Sequence, residues 1–283
     1  MRNLKLTLAY DGTRFVGWQR QADGESIQGF LEEVLARFEG APVTVHGAGR
    51  TDAGVHALGQ VASASVTFTH PTTTLIRALN AELPQDIRIL EVTDAAPDFH
   101  ARFSARSKTY RYQIRAGGPG DPFTRAFVWQ LAESLDISAM RTAAAALVGT
   151  HDFAAFQSTG TEVASTVRTI FRSEISGVEE CRGPIRSAPL QSTFESRAHL
   201  LGSSKPRSGG EGGSGPRHVL VYEVMADGFL RHMVRAIVGT LVDVGRGWRS
   251  AESMAQLIGG GARAQAGATA PPHGLFLVGV DYD

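Results

Sequence analysis

The densest group of residues able to do chemistry lies at positions 47–56, where the sequence reads Gly-Ala-Gly-Arg-Thr-Asp-Ala-Gly-Val-His. Three glycines within eight residues permit left-handed backbone and the close approach of another chain segment. The segment presents Arg50, Asp52 and His56 together. A carboxylate on such a loop can serve as a nucleophile, a general base or a metal ligand.

This segment matches neither of the common glycine-rich phosphate-binding motifs. The P-loop pattern requires Gly-Lys-Ser or Gly-Lys-Thr, and the dinucleotide-binding pattern requires a glycine where Asp52 stands and a helix after it. Two other interpretations of Asp52 remain open. One is an Asx turn, in which the carboxylate bonds only local backbone. The other is a metal site shared with His56, for which no third ligand stands at an obvious spacing.

The elements around this segment predict that it lies between two strands. Leu4, Leu6 and Leu8 alternate with polar residues, as in a half-buried strand. Ser26 can cap a helix that Gly40 ends. That helix carries its apolar residues on one face: Ile27, Phe30, Leu31, Val34, Leu35 and Phe38. The other expected elements are strands at 43–45, 59–68 and 87–89 and a helix from Pro71 to Pro84. The resulting order β-α-β-β-α-β is the split βαβ pattern.

The second half, from about residue 105, predicts another α+β unit. Tyr110, Tyr112 and Ile114 alternate in a strand. Asp136 and Ser250 can each cap a helix. The remaining expected elements are strands at 165–176, 217–226 and 275–280 and a helix at 229–244.

Residues 178–216 interrupt this pattern with a tract rich in glycine, serine and proline. Such a composition buries too little apolar surface to offset the entropy of ordering, so we expect a flexible insertion between two adjacent strands. An RNA-contacting arm and a tolerated surface loop are both compatible with it. Cys181, which lies inside the insertion, is expected to be a spectator.

Composition limits the class of protein. The 283 residues include 28 basic and 28 acidic ones, which excludes a globally basic protein that coats nucleic acid by charge alone. A hydrophobic content of 42% excludes wholesale disorder. The single cysteine allows no internal disulfide and no cysteine-ligated zinc site. Without a long apolar run or an apolar signal core, the sequence predicts a soluble, cytoplasmic protein with no membrane span.

The segment Gly49–Ala57 resembles the signature of the bacterial tRNA pseudouridine synthase A family. Other segments resemble blocks of that family in the same order, and together they cover nearly the whole chain apart from residues 178–216. These segments are Ala9–Thr13, Phe15–Gln19, Leu79–Pro84, Phe99–Phe103, Lys108–Tyr112, Gly149–Phe153, Arg168–Ile170, Phe229–Arg235 and Ala268–Leu275.

The resemblance implies an α+β pseudouridine synthase fold. Two lobes derived from the ferredoxin-like unit would join their antiparallel sheets side by side around a central catalytic cleft. Residues 1–104 would form the lobe with the catalytic loop, and residues 105–283 the lobe with the insertion. The implied activity converts uridine to pseudouridine at positions 38, 39 and 40 in the anticodon stem-loop of tRNA. The family is homodimeric, and its chemistry requires no metal or other cofactor.

By the same resemblance, Asp52 is the catalytic carboxylate. Arg235 is then the cation that keeps it ionised in a closed, RNA-filled cleft. Tyr110 is the second catalytic candidate, because its ring can stack on an extruded uracil and its phenol can reach the C5 proton. On the residues alone, Arg235 also fits a solvated helix face and Tyr110 an ordinary strand aromatic. Tyr112 is expected to be a packing residue.

Contacts with the RNA are expected from six side chains: Arg50, Thr51, His56, Lys108, Tyr110 and Arg231. Arg50 resembles the family arginine that enters the stem and helps to expose the target base, and a plain phosphate contact is its alternative. His56 can contact RNA or brace the loop. Between His100 and Arg125 six basic residues accompany one acidic residue, which predicts a local basic cleft for the RNA backbone.

Two other functions remain open. A tRNA-binding or chaperone protein could share the fold, although binding alone does not require Asp52, Tyr110 and Arg235 together. A carboxylate-dependent hydrolase acting on nucleosides would show metal dependence or release free base. The signature also leaves the modified position open, because relatives modify other tRNA positions and other RNAs.

Overall fold

The computed structural model describes residues 1–158, 160, 163–179 and 218–283. In this part of the chain ten strands form one sheet, accompanied by five α-helices. The strands are β1 (Arg2–Tyr10), β2 (Val45–Gly47), β3 (His56–Val66), β4 (Ile87–Ala95), β5 (Ser107–Ala116), β6 (Trp129–Leu131), β7 (Gly149–Asp152), β8 (Val167–Glu179), β9 (His218–Ala226) and β10 (Leu275–Asp281). The helices are α1 (Ile27–Glu39), α2 (Thr72–Glu82), α3 (Ile137–Ala145), α4 (Met233–Gly245) and α5 (Ser253–Leu257).

The sheet is mixed, with the order β4-β1-β3-β10-β5-β9-β8-β7, while β2 pairs with β3 and β6 with β5. The pairs β3–β10 and β5–β6 are parallel, and the other pairs are antiparallel. Because β10 lies between β3 and β5, the last strand of the chain joins the strands of the first half to those of the second. The glycine-rich segment before β3 and the tyrosine strand β5 are thereby held one strand apart.

Local sequence accounts for the elements of the first half, and the predicted β-α-β-β-α-β order is confirmed. In β1, Leu4, Leu6 and Leu8 are buried in the core that the sheet shares with the helices. The Ser26 hydroxyl accepts a hydrogen bond from the Gly29 backbone N–H, as a helix N-cap does. Gly40 ends α1 with a left-handed φ of 73°.

Several predicted boundaries are wrong. The third strand begins at His56 rather than at residue 59, because the chain pairs with its neighbours immediately after the loop. Helix α4 begins after His232 rather than at residue 229, since the φ of 62° at His232 is incompatible with a helix interior. The N-cap of α5 is Glu252, so Ser250 does not cap that helix.

The strands on either side of the predicted insertion are adjacent and antiparallel, as expected. Their pairing extends to Glu179 and His218, so residues 178 and 179 belong to β8 rather than to the insertion. Residues 180–217, with Cys181, lie outside the described residues. None of the helices in the described ranges is long and apolar enough to cross a membrane.

Candidate active site

The glycine-rich loop, residues 48–55, crosses from β2 to β3 and is held in place by the segment that follows β1. The Trp18 backbone N–H donates to the Thr51 carbonyl at 3.0 Å, and Gly17 forms an isolated bridge with Asp52. Gly17 has a φ of 112°, and a Cβ atom there would lie 2.6 Å from the Thr51 carbonyl oxygen. Only glycine allows this approach, so the sequence block around Gly17 serves to set the backbone of the loop.

Asp52 forms an ion pair with Arg235. The Asp52 side chain is 29% exposed, and its Oδ2 accepts a hydrogen bond of 3.1 Å from Arg235 Nη1. The Arg235 side chain is 13% exposed, and its Nε donates to the Ala270 carbonyl at 2.8 Å. The guanidinium is therefore anchored by one N–H while another holds the carboxylate. Among the described residues no backbone N–H donates to the Asp52 carboxylate, while the Val55 N–H donates to the Asp52 main-chain carbonyl, so the Asx-turn interpretation is wrong.

His232 is a residue of the site that the sequence reasoning missed. Its Nε2 lies 3.5 Å from Asp52 Oδ2, and its Nδ1 shares a hydrogen bond of 2.6 Å with the Ser158 hydroxyl. Burial lowers the pKa of His232, while the charge of Asp52 acts in the opposite direction. A positive φ at a non-glycine residue is uncommon and points the ring toward the site. No spacing in the sequence identifies it, because His232 precedes α4 and a helical spacing from Arg235 does not apply.

Tyr110 lies in β5 beside this ion pair. The residue is 7% exposed, and its ring packs edge-on against Phe229 with centroids 5.0 Å apart. Burial, followed by the neighbouring Tyr10 and Asp52, raises the pKa of Tyr110 well above its usual value. The hydroxyl has no hydrogen-bond partner in the described part of the chain, which leaves it free to meet a ligand. Tyr112 is fully buried, which confirms it as a packing residue.

Three of the expected RNA-contacting side chains face the surface around the site. Arg50 and Arg231 are exposed, and no described residue pairs with either side chain. Lys108 is half-buried, with its ammonium end beside Gly49 of the loop. Burial, followed by the charge of Arg102, lowers the pKa of Lys108. Arg50 stands two residues before Asp52 in the loop, and the charge of Arg231 acts on His232.

Thr51 points inward. It is 6% exposed, and its hydroxyl shares a hydrogen bond of 2.8 Å with the buried Tyr10 hydroxyl. Gln60, which also approaches the Tyr10 hydroxyl, donates to the Gly49 carbonyl at 2.9 Å. This network holds the loop on its buried side. The burial of Thr51 within it favours a bracing role over the expected substrate contact.

His56 is likewise buried, at 1% exposure. Its Nδ1 accepts a hydrogen bond from the Gly12 N–H at 3.0 Å, and Nε2 lies within 3.2 Å of the Ala126 and His273 carbonyl oxygens. Both ring nitrogens are occupied, so His56 cannot share a metal ion with Asp52 and that interpretation is wrong. Its burial favours loop bracing over RNA contact. Within the described ranges, no three His, Cys, Asp or Glu side chains cluster as metal ligands.

Comparisons with known proteins agree with this geometry. The model of a family described as tRNA pseudouridine synthase matches residues 7–104 and 143–283, which include Asp52 and Arg235. The strand β5, with Lys108, Tyr110 and Tyr112, lies between these two ranges and is not covered by the family model.

Curated relatives extend the similarity to the full chain. The tRNA pseudouridine synthase A of Solidesulfovibrio magneticus is 43% identical over 288 residues, covering 100% of this chain and 92% of the relative. The enzyme of the same name from Citrifermentans bemidjiense is 40% identical, covering 100% and 98%. That of Nitratidesulfovibrio vulgaris is 42% identical, covering 100% of both. The chain therefore belongs to the tRNA pseudouridine synthase family.

Proposed function

We propose that this protein is an RNA-modifying isomerase that converts uridine to pseudouridine in tRNA, at positions 38, 39 and 40 of the anticodon stem-loop. The observation that carries the proposal is the 3.1 Å ion pair between Asp52 and Arg235, placed on the glycine-rich loop of this family. A protein that only binds RNA gains nothing from neutralising a cation in its cleft with a partly exposed carboxylate. A catalyst that needs an ionised carboxylate next to the RNA requires such a pair.

The reaction is an isomerisation in which all atoms are conserved. The bond between N1 and C1′ breaks, the bond between C5 and C1′ forms, the C5 proton leaves and N1 gains a proton. Asp52 supplies the nucleophile, either at C1′ or at the base, and the order of these steps is left open. Arg235 places a fixed positive charge beside the carboxylate and holds it in one orientation. The residues themselves supply this chemistry, with no group donor or cofactor proposed.

Tyr110 is proposed to stack on the extruded uracil and to orient it. Since burial raises the pKa of its phenol, the hydroxyl stays protonated at neutral pH. A protonated phenol can take the C5 proton only while it passes its own proton on, and N1 of the uracil is the atom that gains a proton in this reaction, so Tyr110 acts as a relay between C5 and N1 rather than as a standing base. Its free hydroxyl and its place beside Asp52 support this role.

The proposed RNA cleft lies between two lobes, residues 1–104 and 105–283, each derived from a ferredoxin-like unit. The RNA would be contacted by Arg50, Arg231 and Lys108. Extruding a paired base costs a few kcal/mol of lost stacking and pairing, and Arg50 would compensate part of that free energy. The position of β10 between β3 and β5 supports a cleft at this junction.

We further propose that the protein works as a homodimer in the cytoplasm. The family resemblance supports the dimer, and the location of tRNA supports the compartment. Sedimentation of the purified protein at micromolar concentration tests the dimer directly.

Incubation of the purified protein with an unmodified tRNA transcript, followed by position-resolved pseudouridine mapping, tests the activity. We expect conversion at positions 38–40 by the wild type and by Asp23→Ala, which removes an exposed carboxylate that forms no hydrogen bond or ion pair with a described residue. Asp52→Ala should keep tRNA binding and lose at least about 1,000-fold in rate. Conversion at other positions would overturn the assigned target. Binding without conversion, or release of free uracil, would overturn the isomerase itself.

A further inference from the structure

Three aromatic rings lie in a row on the surface near the glycine-rich loop. The His46 and His100 ring centroids are 4.7 Å apart, and those of His100 and Phe103 are 4.4 Å apart. Phe103 is 76% exposed. We call this row of His46, His100 and Phe103 the aromatic platform. The planes of the two ring pairs are tilted by 32° and 36°. A single exposed apolar side chain needs no explanation, whereas a contiguous exposed patch of rings indicates a binding surface.

The platform is preformed. His100 Nδ1 accepts hydrogen bonds from the backbone N–H groups of Arg102 at 3.1 Å and Phe103 at 3.4 Å. The His100 N–H in turn donates to the Ser104 hydroxyl at 3.0 Å, which closes the turn. An Nδ1 that accepts hydrogen bonds belongs to a neutral imidazole, and burial lowers the pKa of His100 accordingly. A ligand that stacks here meets a ring already fixed in place, so little entropy is lost on binding.

Positive charge links the platform to the active site. The Arg102 guanidinium lies 5.5 Å from the centroid of the Phe103 ring. Arg102 also acts electrostatically on Lys108, whose ammonium end lies beside Gly49 in the glycine-rich loop. His46 belongs to β2, the strand that leads directly into that loop. Exposed rings among cations form the usual surface on which proteins stack the bases of unpaired RNA.

We propose that the aromatic platform is a stacking subsite for one unpaired nucleobase of the RNA whose uridine is bound at Asp52. This inference rests on the proposed function and extends it to a second contact. The occupant is an unpaired base because bases inside a duplex have both faces covered by their neighbours, and the deep groove of A-form RNA excludes side chains. A loop nucleotide next to the modified stem offers the free face that Phe103 requires.

Equilibrium binding of the unmodified tRNA transcript to Phe103→Ala, Phe103→Trp and Phe123→Ala tests the subsite. Phe123 is the matched control, since it is 90% exposed and no ring or cation in the described residues stacks on it. We expect Kd to rise about 5- to 100-fold for Phe103→Ala and to return toward the wild-type value for Phe103→Trp. The turnover rate at saturating tRNA should stay within about two-fold, because Phe103 does not touch the reacting atoms. The slope of log Kd against log salt should be unchanged, because no charge is removed.

Abasic substitution of the unpaired nucleotides, one at a time, identifies the base. The wild type should lose affinity at one position, and Phe103→Ala should lose nothing further there. Three results would overturn the subsite. The first is an equal loss of affinity at every abasic position, and the second is an unchanged Kd for Phe103→Ala. The third is a changed sedimentation coefficient for Phe103→Ala, which would show that Phe103 is a contact between protein chains. Because Kd is measured without turnover, an inactive wild type overturns the proposed function alone. An active wild type with a normal Kd for Phe103→Ala overturns only the subsite.

Discussion

The side chains that contact the Asp52 carboxylate reach it from a single short stretch of chain. Arg235 donates to it at 3.1 Å, and His232 lies at 3.5 Å with its pKa lowered by burial. A neutral imidazole adds little charge, so the guanidinium supplies most of the electrostatic stabilisation. Arg235 also needs its second donor, the Nε that binds the Ala270 carbonyl, to keep its position. A lysine ammonium group has no planar set of donors, so it cannot bind the Asp52 carboxylate and the Ala270 carbonyl at the same time in one fixed geometry.

Arg235→Lys is therefore expected to lower the turnover rate about 10- to 100-fold while tRNA Kd changes little, because one charge-assisted hydrogen bond is lost and the charge is retained. The rate of pseudouridine formation in a single turnover at saturating enzyme measures this effect. Arg246→Lys, about three helical turns further along, serves as the control and should keep the wild-type rate. Equal rates for Arg235→Lys and the wild type would show that a point charge is enough.

Helix α4 is the element that positions Arg235, and a close contact holds the helix. A Cβ atom at Gly239 would lie 1.7 Å from the Ala268 carbonyl oxygen. One turn earlier, the backbone of Arg235 accepts a hydrogen bond of 3.0 Å from the Ala270 N–H, while its side chain donates back to the Ala270 carbonyl. The helix and the segment around Ala270 thus lock together, and the absence of a side chain at Gly239 sets their separation.

Gly239→Ala should therefore push α4 away from this segment and cost about 1–3 kcal/mol of unfolding free energy through overpacking. Activity should fall as well, because the shift carries Arg235 away from Asp52. Urea unfolding and single-turnover assays measure the two effects. Gly177→Ala is the matched control, since its new methyl group would meet open space. A Gly239→Ala protein as stable as the control would contradict the close contact.

At the scale of the molecule, the fold lowers the pKa of three partly buried histidines among the described residues. Burial is the main cause that lowers the pKa of His100, His232 and His273. They lie in three separate parts of the structure: the turn before β5, the start of α4 and the segment before β10. Each binds a proton less readily in the folded state than in the unfolded chain. Their effects on stability therefore act in the same direction.

The free energy of unfolding should be highest above pH about 6.5 and should fall as the pH drops below that value. Below this pH the histidines bind protons more readily in the unfolded chain than in the folded state. Acid therefore favours unfolding. Urea unfolding at pH 7.5, 6.5 and 5.5 measures the trend above the range in which carboxylates titrate. A free energy of unfolding that stays constant or rises toward pH 5.5 would contradict it.

The sequence by itself determined the features that depend on neighbouring residues. Ser26 and Gly40 mark the ends of α1, and alternation marks β1, because capping and strand periodicity act within a few positions. The residue types of the glycine-rich loop were enough to single out Asp52. The predicted pairing of Asp52 with Arg235 came from the resemblance to a family, since no local pattern connects residues 183 positions apart.

Only the tertiary structure decided which side chains of the loop face the site. Thr51 and His56 flank Asp52 in sequence, yet both turn into the interior, where Tyr10 and Gly12 meet their polar atoms. The orientation of a loop side chain depends on the partners that other segments bring to it, and here these come from β1 and the segment that follows it. His232 entered the site for the same reason. Its approach to Asp52 depends on a left-handed φ and on the docking of α4, neither of which is encoded in the spacing of nearby residues.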